Sequence, residues 1–205
     1  LVNDDVVALT ISSALSGTYQ SAMIAAADFP GRVRVVDTLS VTLGAQIQAR
    51  YALSLAAQGR SMDEVADAVE AVKSRVHLIA LLDTLEYLKR GGRISGAAAL
   101  AGGILSIKPV ITIRDGAVAL IGKARGSKNG NNLLSQMVEK YGVDFSMPYM
   151  LGYTGLNDTM LQKYKADSAR LWVGHADDLP SMIIGSVVGT HAGPGAIGVA
   201  FFGNE

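Results

Sequence analysis

The feature that most constrains this chain is the alternation in its first 82 residues, where short apolar runs are separated by segments with four-residue apolar spacing. Val6, Val7, Ala8, Leu9 and Ile11 make an apolar run that reads as a buried strand. Thr18–Ala27 reads as a helix and Arg32–Val36 as a second short strand ending in Asp37-Thr38. From Thr42 to Ala57, Leu43, Ile47, Tyr51 and Leu55 recur every fourth residue, with Gly59 as a stop. Ser61-Met62-Asp63-Glu64 is a capping box, and Val65, Val69, Val72 and Val76 form the stripe of the helix it opens. His77–Leu82 is then a continuous apolar run, a further buried strand. Strand and helix in strict alternation predict a parallel α/β layer.

The first strand-to-helix junction carries unusual chemistry. Ile11-Ser12-Ser13-Ala14-Leu15-Ser16-Gly17-Thr18-Tyr19-Gln20-Ser21 places several hydroxyls and a glycine where a strand hands over to a helix. Free backbone N–H groups and the positive end of a helix dipole meet at such a junction and favour a carboxylate or phosphate. Ser16 is the natural N-cap or a ligand contact; Ser13 and Thr18 can serve the turn or the ligand; Gly17 permits a close approach or simply makes the turn.

From Asp83 the pattern changes. Asp83-Thr84-Leu85-Glu86 caps a short helix that Gly91-Gly92 ends, and Gly96 to Leu105 reads as a small-residue helix or tight coil. Pro109–Ile113 and Ala117–Ile121 flank Asp115-Gly116, a two-residue hairpin signal that requires antiparallel pairing. A helix at about 132–141, a strand at 149–153, a helix at 158–166, a strand at 170–173 and a last helix at 177–185 follow. The tail comprises Val187–Thr190, a loop His191-Ala192-Gly193-Pro194-Gly195 and a final strand, Ile197–Phe202. The expected fold is therefore α/β with two domains: a parallel α/β half over 1–82 and a mixed or antiparallel α+β half over 83–205.

Composition narrows the function. Lys+Arg and Asp+Glu are 18 each in 205 residues, so no net charge draws nucleic acid or a membrane surface. Cysteine is absent, which excludes disulfides, thiolate metal sites and cysteine nucleophiles. The three histidines, His77, His175 and His191, have no ligand spacing, so no metal site is expected. No apolar run is long enough to span a bilayer, and the expected compartment is cytoplasmic.

Five segments in order resemble the signature blocks of the DegV family: Ile11–Ala22, Val36–Gly44, Leu82–Ser95, Ile107–Ile111 and His191–Gly198. The resemblance spans almost the whole chain. It implies two α/β-type domains with a long-chain fatty acid buried between them. It also implies a carrier role: the bound acid is the only ligand, no cofactor is needed, and its carboxylate is presented to a separate fatty acid kinase catalytic subunit that makes an acyl phosphate. By this resemblance Ser16, Gly17, Thr18, Ser13 and His191 hold the carboxylate. Arg93 stands at the pocket mouth facing the partner, where a planar guanidinium suits carboxylate or phosphate. Arg125, in the basic cluster Lys123, Arg125 and Lys128, adds partner surface; the cluster is too short, and too poor in aromatics, for nucleic acid. Leu81-Leu82, Leu100–Leu105 and Met182-Ile183-Ile184 are expected tunnel walls.

Family members begin with an earlier strand and a Thr/Ser-rich loop that supplies a further head-group hydroxyl. This chain opens directly on the strand before Ile11, so a fragment is expected, one with an exposed sheet edge. Two other functions fit parts of the sequence. A serine hydrolase or acyltransferase would use Ser16 with His191, although Leu15-Ser16-Gly17-Thr18 is not a Gly-x-Ser-x-Gly elbow and no acidic third member stands out. A nucleotide-binding enzyme would need a Walker loop or a Rossmann glycine fingerprint, and neither follows the first strand.

Overall fold

Two sheets organise the chain, whose computed structural model describes residues 4–94, 107–175 and 179–204. In the smaller sheet β1 (Val6–Thr10) pairs in parallel with β2 (Val33–Asp37), joined by α1 (Thr18–Ala26). The larger sheet has six strands in the order β5 (Ala117–Arg125), β4 (Ile107–Arg114), β3 (Val76–Leu81), β8 (Ile197–Phe202), β6 (Met150–Tyr153) and β7 (Ser181–Ile183). Its neighbours are antiparallel except β6 and β7. The architecture is thus mixed α/β, with a parallel layer beside a larger mixed sheet.

Central position explains the central sequences. β8 is Ile-Gly-Val-Ala-Phe-Phe, buried at all six positions, because helices cover both of its faces. On one face α5 (Ser127–Tyr141) and α6 (Thr159–Asp167) bring Leu134, Val138, Leu161 and Tyr164 against Ile79, Val199 and Phe201. On the other, α2 (Leu43–Ala57) lays Leu43 and Ile47 on Leu78, Ala200 and Phe202. Fully burying a side chain of this size stabilises the fold by about 1.5–3 kcal/mol. Glycine permits the close approach: a Cβ at Gly152 would lie 2.7 Å from Leu43 Cδ2, and one at Gly198 3.2 Å from Leu43 Cδ1. The far side of α2 and α3 (Met62–Val72) packs Ala52, Val65, Ala66 and Val69 against Val36 of the parallel layer.

Local signals worked where the backbone had few choices. Ser61 Oγ accepts from Glu64 N and Glu64 Oε2 accepts from Ser61 N, completing the capping box of α3. Asp115 and Gly116 have φ of 51° and 77°, the two positive angles of a type I′ hairpin between β4 and β5.

Four expectations are corrected. β3, read as part of the parallel layer, lies antiparallel between β4 and β8 in the larger sheet. An apolar run reports burial on both faces, and direction is set by whichever partner is built later in the chain. The strand expected at 170–173 is a 3-10 turn, Ala169–Trp172, because Trp172 Nε1 donates to Ser168 Oγ and Ser168 Oγ to the Tyr164 carbonyl. Local side-chain bonds of this kind compete with strand pairing. The last helix, expected over 177–185, gives way to β7 at Ser181–Ile183, which follows Pro180 and pairs with β6. Finally, Val187–Thr190 belongs to α7 (Ser186–Ala192), so His191 stands in the last turn of a helix, after α4 (Glu86–Arg90) in sequence and packed beside it. The coil expected at 96–105, Ser95 and the opening of the 177–185 segment lie outside the described residues.

Candidate functional site

A cavity of about 150 Å³ lies on the α2 face of the large sheet, where the first strand-to-helix turn crosses it. β3 contributes Leu78 and Ala80 and is followed by Leu82; β4 contributes Ile111 and Ile113; Ile197 and Gly198 come from β8, and Ile184, Val187 and Val188 from β7–α7. Ile11, Leu15 and Ser16 roof it from the other layer, with Val41, Thr42 and Leu43 at the start of α2. The polar residues among the lining are Ser16, Thr42, Arg93, Thr112 and His191, and Arg93 is the one charged group among the described residues there. Such a lining suits an apolar body that a few polar groups orient.

Three of those polar groups are tied together. Arg93 Nε donates to the Leu15 carbonyl at 3.2 Å, beside Ser16, and Arg93 Nη1 donates to the Gly91 carbonyl at 2.7 Å. Gly91 in turn lies against the imidazole of His191, since a Cβ there would sit 2.0 Å from Nδ1. Arg93 therefore bridges the serine turn and the end of α4, and that end backs His191. The Arg93 side chain is otherwise exposed, with Nη2 free of protein partners among the described residues.

The serine turn is held by its own network. Ser12 is fully buried; its N–H donates to the Ser40 carbonyl and its Oγ to the Gly116 carbonyl. The Asp37 carboxylate accepts from Ser13 N at 3.2 Å and Leu39 N at 2.9 Å, which spends the Ser13 amide on the scaffold. Ser16 Oγ lies 2.8 Å from Thr18 Oγ1 and accepts from Thr18 N at 3.3 Å. At α2, Thr42 adopts φ 44° and ψ −115°, a costly conformation for a β-branched residue. Strain of that kind is retained where a surrounding structure imposes it, here at the cavity wall.

Of the expected site residues, Ser16, Arg93 and His191 line the cavity. Ser13, Gly17 and Thr18 flank it in the same turn without lining it; Gly17 is the N-cap of α1 and is exposed, with open space where a Cβ would be. Arg125 is exposed on the edge strand β5, opposite Ile107, and does not line the cavity. Among the expected tunnel walls, Leu82 and Ile184 line it, whereas Leu81 belongs to the core on the opposite face and Met182 and Ile183 lie outside it; 100–105 fall outside the described residues. Sequence reading missed Ser12, Thr42 and Gly91. Only Gly91 left a signal, as half of a Gly-Gly helix stop.

A hydrolytic dyad is not assembled. Ser16 Oγ is bonded within its own turn, and among the described residues no hydrogen bond joins it to His191. His191 Nδ1 is buried without a partner among the described residues, so no carboxylate among them orients the ring as a triad requires. His77 and His175 are stacked on Tyr141 and Phe145 at 4.2 and 4.0 Å, away from the cavity. No cluster of His, Asp or Glu that could hold a metal occurs among the described residues. No helix among them is long and apolar enough to cross a membrane.

Comparison with known proteins gives a consistent picture. The family model described as "Uncharacterised protein, DegV family" matches residues 2–204. A DegV domain-containing protein of Deinococcus radiodurans is 40% identical over 200 residues, covering 96% of this chain and 69% of that protein. A solved fatty-acid-binding DegV family protein from Thermus thermophilus superposes with a TM-score of 0.81 at 32% identity, covering 98% of this chain and 71% of the other. The Streptococcus pneumoniae fatty acid kinase (Fak) B3 protein loaded with linoleic acid shares the fold, with a TM-score of 0.86 at 24% identity over 98% of this chain and 72% of that one.

Proposed function

The chain belongs to the DegV family, and from that premise we propose that it carries a long-chain fatty acid in the apolar cavity and presents the carboxylate to a separate kinase subunit for acyl-phosphate formation. The observation that carries this reading is the cavity's lining: a largely apolar wall in which Ser16, Arg93 and His191 are brought together, Arg93 through the Leu15 carbonyl and His191 against Gly91. Each buried methylene contributes roughly 0.8 kcal/mol, so the chain of the acid supplies affinity and the polar end sets its direction. Ser16 and His191 are the head-group contacts in this reading, with Ser13, Gly17 and Thr18 shaping the turn. Arg93 and Arg125 face the kinase. The absence of a Ser16–His191 hydrogen bond favours a carrier over a hydrolase, because a carrier needs no activated nucleophile.

The test is direct. Organic extraction and mass spectrometry of protein purified from cells should release about one fatty acid per chain, and the loaded protein should be a substrate for a fatty acid kinase and ATP. Protein that retains no fatty acid, and takes none up from an added excess, would refute the carrier reading. Uptake without turnover by the kinase would remove only the presenting role.

A further inference from the structure

His191 is held in an unusual way. One ring nitrogen, Nδ1, is buried with no hydrogen-bond partner among the described residues, while the residue lines the cavity. The space for that ring edge exists because residue 91 is glycine: a methyl group there would lie 2.0 Å from Nδ1 and 2.6 Å from Cε1. The backbone does not demand glycine, since Gly91 has φ −74° and ψ −7°, ordinary right-handed values. Its neighbour Gly92, by contrast, has φ 68° and open space where a Cβ would be. Glycine at 91 is therefore explained by the imidazole it seats, and glycine at 92 by its backbone.

The seat has a chemical consequence. A neutral imidazole carries its proton on one nitrogen, and an imidazolium carries one on each. A proton on Nδ1 would be a buried N–H with no acceptor, the less tolerated form of an unmet polar group. The arrangement that avoids it is the neutral ring with its proton on Nε2. We propose that Gly91 is a positioning residue for the head-group site: it seats the His191 ring so that Nε2–H is the donor offered to the ligand's carboxylate. The proposal rests on the carrier reading for the identity of the ligand, but the tautomer and its dependence on Gly91 are properties of the protein alone.

Long-range proton–nitrogen correlation NMR of the ligand-free protein at neutral pH reads the tautomer. His191 should show the Nε2–H pattern, and Gly91→Ala should lose or mix it. An Nδ1–H pattern in the unsubstituted protein, or an unchanged pattern in Gly91→Ala, overturns the proposal. The second arm measures the off-rate of a fluorescent fatty acid. Gly91→Ala and His191→Ala should each raise it roughly tenfold, and Gly91→Ala should add nothing in a His191→Ala background. Additive effects in that double variant would show that Gly91 acts elsewhere. Gly185→Ala, where a methyl group meets open space at φ −60°, should leave both measurements unchanged. If no fatty acid binds, the carrier reading fails, while the NMR result still decides what Gly91 does.

Discussion

Ser12 Oγ donates a 2.7 Å hydrogen bond to the carbonyl of Gly116, 104 residues further along the chain. The bond ties the turn after β1 to the tip of the β4–β5 hairpin, and so joins the two sheets. Ser12 is fully buried, its Oγ also accepts from Ala14 N, and a Cβ at Gly116 would approach it to 2.5 Å. Ser12→Ala strands a buried carbonyl and removes the acceptor of an amide. The expected loss is about 1–3 kcal/mol of unfolding free energy in urea, with an unchanged slope. A loss below about 0.5 kcal/mol would mean that water replaces the hydroxyl without cost.

Much of this fold was legible because its signals are local. The Ser61–Glu64 box, the Asp115-Gly116 turn and the four-residue stripe of α2 each require only neighbours in sequence, and each formed where expected. What was not legible depends on distant partners. His77–Leu82 reads equally well in a parallel or an antiparallel sheet, and its direction comes from β8, more than a hundred residues away. The site follows the same rule. Ser16 and His191 stand out by residue type, whereas Ser12 and Gly91 matter through contacts at separations of about a hundred residues, which no spacing encodes.

Ser16→Ala separates head-group binding from folding. Among the described residues the hydroxyl bonds only Thr18, within an accessible turn, so thermal unfolding should shift little. Fatty-acid retention should weaken by roughly ten- to a hundredfold, the usual effect of one hydrogen bond to a charged group. Stopped-flow displacement of a fluorescent fatty acid measures it, and an unchanged off-rate would remove Ser16 from the site.

Arg93→Ala distinguishes a partner contact from a structural staple. With Nη2 free of partners among the described residues, the expected result is normal fatty-acid content with acyl-phosphate formation slowed by about tenfold or more, an effect that weakens at high salt. Loss of the lipid instead would assign Arg93 to holding Leu15 and Gly91 together. Arg125→Ala, on β5 away from the cavity, should raise the kinase KM for the carrier and leave lipid content untouched.

His77 gives the fold a dependence on pH that has nothing to do with the ligand. Its ring stacks on Tyr141 at 4.2 Å and meets Phe201 at 5.4 Å, and burial holds its pKa below the ordinary 6.5. The native state thus prefers the neutral ring, and at mildly acidic pH the unfolded chain binds more protons. By linkage, stability rises with pH in that window. The contribution is full above about 6.5 and is lost as pH falls through the depressed native value. Asp144 acts lower: its pKa is held below the usual 3.8, chiefly by the Ser146 hydroxyl and also by Arg75, so its stabilisation is lost only in stronger acid. Urea unfolding at about pH 7.5 and about pH 5 should show a smaller drop for His77→Phe than for the unsubstituted protein. Phenylalanine keeps the aromatic stack and removes the titrating group. An equal drop in both proteins would place the acid sensitivity elsewhere in the chain.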